Sequence, residues 1–331
     1  MAKKSYIGVG NVAHNVKKMY IGVDGVARKV KKAYIGVNGV ARLVYQSGLS
    51  WVQTTMSVKA DWRSICYGNG KFVATAEDTN IAAYSTDGIN WIQTTLPESA
   101  FYHPVCYGNG KFVALHYSYG GTKTAAYSTD GINWTQTTMP VNGRWTTVCY
   151  GNGKFVVLTY DSSIAAYSAD GINWTQATLP SSARWNSVCY GNGKFVALTY
   201  NSSIAAYSTD GINWTQTTVP FEPKYPLLCY GDGKFVTGVS AGIAAYSADG
   251  INWAQTTLPT GFQWYSLLYG NGVFMIVPGA HREIAYSVDG INWTKDELPS
   301  IGYWRATCDD NGKFVAVSST GVAAVYIKDS F

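Results

Sequence analysis

Seven aromatic residues, Trp62, Tyr102, Trp145, Trp185, Tyr225, Trp264 and Trp304, recur at intervals of 40, 43, 40, 40, 39 and 40 residues. Each has neighbours that recognise anions or hydroxyl groups: Arg63, His103, Arg144, Arg184, Asn186, Lys224, Tyr265 and Arg305 adjoin them, and His116, Tyr117, Tyr160, Tyr200 and Arg282 stand in loops nearby. A flat aromatic ring stacks on the C–H face of a sugar, and guanidinium or amide donors bind carboxylates and hydroxyls. Together they form a candidate lining for an anionic or hydroxyl-rich glycan. A residue type that recurs in every unit is also what packing between units would produce. The sequence leaves both readings open.

These residues sit in a larger repeat. A second tryptophan, after a DGIN turn in all copies but the first, falls at Trp51, Trp91, Trp134, Trp174, Trp214, Trp253 and Trp293. A period near ~40 residues fits one propeller blade or one helical pair. Composition decides between them. Runs such as WNSVCY, KFVAL, IAAYS and NWTQAT alternate apolar and polar residues and are rich in Val, Tyr, Trp and Thr, the pattern of short strands. Asn-Gly and Asp-Gly pairs between them accept positive φ and close hairpins. Each unit is therefore four antiparallel strands.

The first, third and fourth strands each occur seven times, but the first copy of the fourth, SWVQTT at residues 50–55, precedes every first strand. The last unit stops after its third strand, VAAVYI at residues 322–327. The early strand is thus expected to complete the last unit, giving an all-β fold: a seven-bladed β-propeller over residues 47–331, closed by an N-terminal strand. Residues 1–46 hold a shorter repeat, with Tyr6, Tyr20 and Tyr34 spaced 14 apart and turns at Gly10-Asn11, Asp24-Gly25 and Asn38-Gly39. It reads as three β-hairpins, which are marginal alone and need a partner surface. The short joint at residues 46–50 predicts that the two parts are rigidly coupled.

The turns between first and second strands (GNG) and between third and fourth strands (S-x-DGIN-W) hardly vary. Propeller geometry puts both on one face. The other connections, among them PESAFYHP, PSSARWNS, PFEPKYPL, HYSYGGTK and YDSS, differ from unit to unit. Variation gathered on one side of a rigid scaffold marks that side as the binding surface.

Charge and reactive groups narrow the function. Residues 1–46 carry nine Lys or Arg against one acid, +8, and the remainder 16 against 19, −3, which together give the net +5. A faintly acidic ring argues against nucleic-acid binding. The paired lysines at 17–18 and 31–32 read as solvated turns. The six cysteines occupy one position of the first strand, where the remaining unit has Leu268, so they are expected to be reduced, buried and too far apart to bridge. The four histidines are dispersed, and only His103 and His116 share a unit. A glycosidase needs two carboxyls roughly 5–9.5 Å apart. Asp61, Glu77, Asp78, Glu98, Asp161, Glu222 and Glu283 lie on the variable side, but no pair is singled out. No catalytic residue, metal or cofactor is expected, and the chain is read as not an enzyme. No secretory h-region or membrane-spanning run is found.

Two resemblances add to this. The S-x-D-G-x-N-W turn resembles a shortened Asp-box of BNR-type propellers such as sialidases, which implies that Asp87, Asp130, Asp170, Asp210, Asp249 and Asp289 accept turn N–H bonds while the Trp packs on the turn. The arginine triad and tyrosine nucleophile of sialidases have no counterpart. The stretch YIGVNGVARLVY and its copies resemble the N-terminal repeats of tail-fibre and baseplate appendage proteins of phages and tail-like particles. That resemblance implies a virion-attached, receptor-binding adhesin, made in the cytoplasm and carried on a tail. Residues 1–46 would attach it to other tail proteins or form a homo-oligomer, a trimer first of all. The variable face would bind a bacterial cell-surface polysaccharide. A glycan-cleaving depolymerase and a protein-interaction scaffold are the alternatives.

Overall fold

The computed structural model describes residues 20–23, 26–29, 32–37, 40–46, 51–238, 242–310 and 312–327. The chain divides into two compact units, Met1–Leu49 and Ser50–Phe331. In the smaller, Tyr20–Val23 pairs with Val26–Lys29 and Lys32–Val37 with Val40–Gln46, both antiparallel. The first of the three expected hairpins, the hairpin turns, the lysine pair at 17–18 and the joint at 47–50 lie outside the described residues.

The larger unit is an all-β propeller. Among the described residues it contains five four-stranded antiparallel sheets and one of seven strands. The seven-stranded sheet is two repeats fused by one long strand, Ile92–Gly108, which pairs with Thr79–Ser85 through its first half and with Lys111–Tyr117 through its second. Sequence reading placed a loop at Pro97–Pro104; here the chain stays extended through it. The last sheet orders Trp304–Asp309, Lys313–Ser318, Val322–Ile327 and then Trp51–Thr55, with Val322 opposite Thr55 and Tyr326 opposite Trp51. Consecutive first strands lie against one another around the unit, and Trp304–Asp309 lies against Trp62–Gly68.

Turn chemistry explains why the invariant side is invariant. In the GNG turns both central residues have positive φ, 46° at Asn192 and 73° at Gly193, the two-residue hairpin that Asn-Gly favours. The asparagine also reaches the next unit: Asn69 Nδ2 donates to Thr129 O at 3.3 Å, Asn109 to Ala169 O at 2.9 Å and Asn152 to Thr209 O at 3.2 Å. Fourth strands repeat the device. Thr256 Oγ1 donates to Ile291 O at 2.8 Å, and Thr54 Oγ1, from the early strand, donates to Ile89 O at 2.9 Å. Both sets of turns therefore lie together and stitch each unit to its neighbour.

In the DGIN turn, Asp170 Oδ1 accepts N–H bonds from Ile172 and Asn173, Oδ2 accepts from Asn173 Nδ2 at 2.7 Å, and Ser168 Oγ donates to Oδ1 at 2.9 Å. Burial opposes the charge, yet these bonds hold the carboxyl well below its usual range. The same pattern recurs at Asp87, Asp130, Asp210 and Asp289. A carboxyl depressed in the folded state adds stability above its unfolded value, near ~3.9, and loses it as the pH falls below that.

The cysteines are all unpaired, as expected, but only Cys229 is buried; the other five are half-buried. Burial first of all, and then the neighbouring Cys308 and Cys106 thiols, push the Cys66 thiol up. Burial pushes the Cys106 and Cys189 thiols up to about 12.

Candidate functional site

The variable connections enter the first strand at the recurring aromatic. Trp62, Tyr102, Trp145, Trp185 and Trp304 are 0% exposed and Trp264 2%. Some indoles donate to the incoming segment, Trp62 Nε1 to Val58 O at 3.3 Å and Trp185 Nε1 to Ser181 O at 3.1 Å. Trp145 Nε1 donates to Thr122 O, at the start of the preceding unit's third strand, at 3.0 Å. Six of the seven candidate stacking rings thus belong to the core between sheets and offer no face to a ligand. Tyr225 is the exception, 49% exposed at φ 55°. Pro226 follows it and cannot donate to the ladder, so the strand begins only at Leu227 and the ring stays outside.

The residue after the tryptophan is placed by a β-bulge. The register slips between Trp62 and Ser64, Trp145 and Thr147, Trp185 and Ser187, Trp264 and Ser266, and Trp304 and Ala306. The extra residue, Arg63, Thr146, Asn186, Tyr265 or Arg305, is left out of the pairing and re-aimed. The residue before the tryptophan is fixed by the end of the second strand: Tyr160 N donates to Arg144 O at 2.9 Å, Tyr200 N to Arg184 O at 2.8 Å and Glu77 N to Asp61 O at 2.9 Å.

Two clusters result. In the first, the Arg144 guanidinium lies 4.7 Å from the Tyr160 ring centre and 5.5 Å from that of Tyr119, and its Nη2 donates to Tyr117 Oη at 2.9 Å. Arg184 lies 5.8 Å from the ring of Tyr160 and 6.0 Å from that of Tyr200. Asp161 accepts from both arginines. Tyr200 meets Tyr225 edge-on at 5.0 Å. The Tyr117 hydrogen bond, first of all, raises Arg144 above its ordinary value, and the Asp161 bond does the same for Arg184. In the second cluster Arg63 bridges Asp61, at 2.9 Å, and Glu77, while Arg305 lies 3.8 Å from Asp61 and stacks 4.8 Å from the Tyr265 ring. Burial and the Asp61 charge raise Glu77 against the pull of Arg63.

His103 joins the clusters, stacked on Tyr117 at 5.5 Å. Burial, helped by the Arg63 charge, lowers its imidazole to about 4. Its ordinary value is near ~6.5, so the unfolded chain takes a proton before the folded one, and stability is lost as pH falls from about 6.5 to 4. Thermal unfolding scanned by pH is expected to show a first decline in that window and a steeper one below about 4, where the turn aspartates of the unfolded chain take protons that the folded chain does not. His103→Gln should remove only the first. A first decline that survives the substitution would show that His103 is not its source.

Of the residues singled out from the sequence, the structure brings Arg144, Arg184, Tyr160, Tyr200 and Tyr225 into the first cluster and Arg63, Tyr265 and Arg305 into the second, and stacks His103 on Tyr117. Lys224 is exposed and Asn186 half-buried. Sequence reading did not see Tyr119 or the part played by Asp161. Tyr119 lies on the longest connection, HYSYGGTK, which the 43-residue interval signals. There, Phe101, His116, Tyr117 and Tyr119 border a cleft of about 360 Å3. Among the described residues no three His, Cys, Asp or Glu side chains gather as a metal site.

No family model and no curated protein matches the chain. Solved structures do match. Selenomethionine-substituted virginiamycin B lyase from Staphylococcus aureus is 10% identical, covers 85% of this chain and 99% of its own, and has a TM-score of 0.76. YCF48 bound to D1 peptide is 15% identical, with coverage of 84% and 97% and a TM-score of 0.67. The WD40 β-propeller domain of Doa1 is 13% identical, with coverage of 86% and 97% and a TM-score of 0.64. At such identities the likeness concerns the fold, a multi-blade propeller. It lends nothing to the tail-appendage or Asp-box resemblances or to a glycan partner. It also corrects the expectation that the chain is not an enzyme: this architecture houses a lyase, so neither the propeller fold nor the scattered histidines exclude catalysis.

Proposed function

We propose that the chain is a seven-bladed propeller, its last blade completed by Trp51–Thr55, that binds a partner protein through its variable-loop face, and that the segment bound is acidic. The observation that carries this is the Arg–Tyr arc running from Tyr117 through Arg144, Tyr160, Arg184 and Tyr200 to Tyr225. Arg and Tyr are the residues that anchor protein interfaces, and a guanidinium fork matches a carboxylate. The polysaccharide expected of a tail adhesin would need uncovered flat rings. Here the tryptophans are buried and the rings of Tyr160 and Tyr117 already face Arg144, which leaves Tyr225 as the one uncovered ring of the recurring set, with Tyr119 beside the arc. A propeller of the same fold solved with a peptide bound supports the peptide reading. The hairpins of residues 20–46 are two-stranded and too small to be stable alone, which supports an attachment or oligomerising role for residues 1–46.

Peptide and glycan arrays probed with the whole chain separate these readings. Acidic peptides are expected to bind, with binding that weakens as salt is raised. Binding of glycans alone would overturn the proposal and restore the polysaccharide partner.

A further inference from the structure

This inference rests on the reading of the variable face just given and concerns one residue within it. Arg144 and Arg184 enter from consecutive units and converge on a single carboxylate: Arg144 Nη1 donates to Asp161 Oδ2 at 3.2 Å and Arg184 Nε to Oδ1 at 3.0 Å. Both arginines have contacts besides that carboxylate. Arg144 is held by Tyr117 Oη and the Tyr160 ring, and Arg184 lies between the rings of Tyr160 and Tyr200. Asp161 is the loose member. Its side chain is 47% exposed, and it sits at φ 57° in the short connection after Lys154–Thr159. The corresponding residue of the next unit is Asn201, at φ 53°. An uncharged side chain therefore serves this turn equally well, and the negative charge of Asp161 has no task in the backbone. Exposed ion pairs are weakly held, so a competing carboxylate displaces this one at little cost.

We propose that Asp161 is an internal stand-in: it fills a carboxylate subsite between Arg144 and Arg184 in the free protein, and an acidic side chain or chain terminus of the partner replaces it. Isolated weak anions then compete poorly, and a segment with several carboxylates is selected.

The test titrates hexaglutamate into the whole chain as wild type, Asp161→Asn and Asp232→Asn. Asp232 sits at φ 44° in the turn between first and second strands, where Asn192 stands in the preceding unit at φ 46°, so its substitution makes the same charge change on the invariant side, away from the arginine pair. Asp161→Asn is expected to tighten binding about three- to tenfold, and Asp232→Asn by less than about twofold. Equal gains from both would reduce the effect to net charge, and weaker binding by Asp161→Asn would make Asp161 a support for the arginines; either overturns the proposal. If hexaglutamate binds none of the three, the acidic-peptide reading fails. The subsite is then decided by acetate titrations followed at the Arg184 Nε–H by nuclear magnetic resonance. Larger shifts in Asp161→Asn than in wild type support the stand-in, and equal shifts overturn it.

Discussion

Trp185→Ala is expected to lower the unfolding free energy by about 3–5 kcal/mol, the range for removing a large buried aromatic. The indole is 0% exposed and packs with Val156, Leu158, Leu179, Val188 and Phe195. Val156 and Leu158 come from the preceding unit, so the cavity would open at a junction between sheets. The substitution also orphans Ser181 O, the acceptor of the indole N–H. Trp185→Phe should cost less, since most of the volume remains. Denaturant titration measures both. A loss under about 1 kcal/mol for the alanine variant would mean that the ring does not support the core.

Gly191→Ala is the second large effect. A Cβ there would stand 2.0 Å from Tyr230 Cγ, a rigid ring base of the following unit. The same contact links Gly68 to Tyr107, Gly108 to Tyr150 and Gly151 to Tyr190. Overpacking of this kind costs about 1–3 kcal/mol and more where neither side yields; with Tyr230 itself packed on Phe235 at 4.9 Å, the upper end is expected. Gly193, two residues on, is the control. Its φ is 73° with nothing within 4 Å of an added Cβ, so Gly193→Ala should cost only the left-handed backbone penalty of about 1–2 kcal/mol. Partial recovery of Gly191→Ala by Tyr230→Ala would locate the clash. Equal costs at the two glycines would show that the ring yields.

The repeat made much of this readable. Tryptophan spacing, hairpin pairs and the misplaced first copy of the fourth strand are local features, and the sheets follow them strand by strand. The candidate site was less legible, because orientation is set by features without a sequence signal. At Trp62 and Tyr225 the same register position looks alike on paper; a ladder partner buries one ring and Pro226 frees the other. A bulge after the tryptophan re-aims Arg63, Tyr265 and Arg305, whereas strict alternation would assign them by parity alone. The convergence of Arg144 and Arg184 on Asp161 joins residues 17 and 23 positions apart across two units. Only the packing of the units brings them together. The cysteine position reads as core because it accepts Leu268, and it packs there: Leu268 and Cys229 are buried, and Cys66, Cys106, Cys149 and Cys308 lie half-buried against the core clusters.

The central claim is that function resides on the variable-loop side, in the Arg–Tyr arc. Its most direct test compares acidic-peptide affinity in Arg144→Met/Arg184→Met with that in Lys154→Met/Lys194→Met, which removes equal charge next to the invariant turns. The arc variant is expected to bind at least about tenfold more weakly, in line with the loss of charge-assisted contacts, while the turn-side variant stays within about twofold. Equal losses in the two variants would contradict the account.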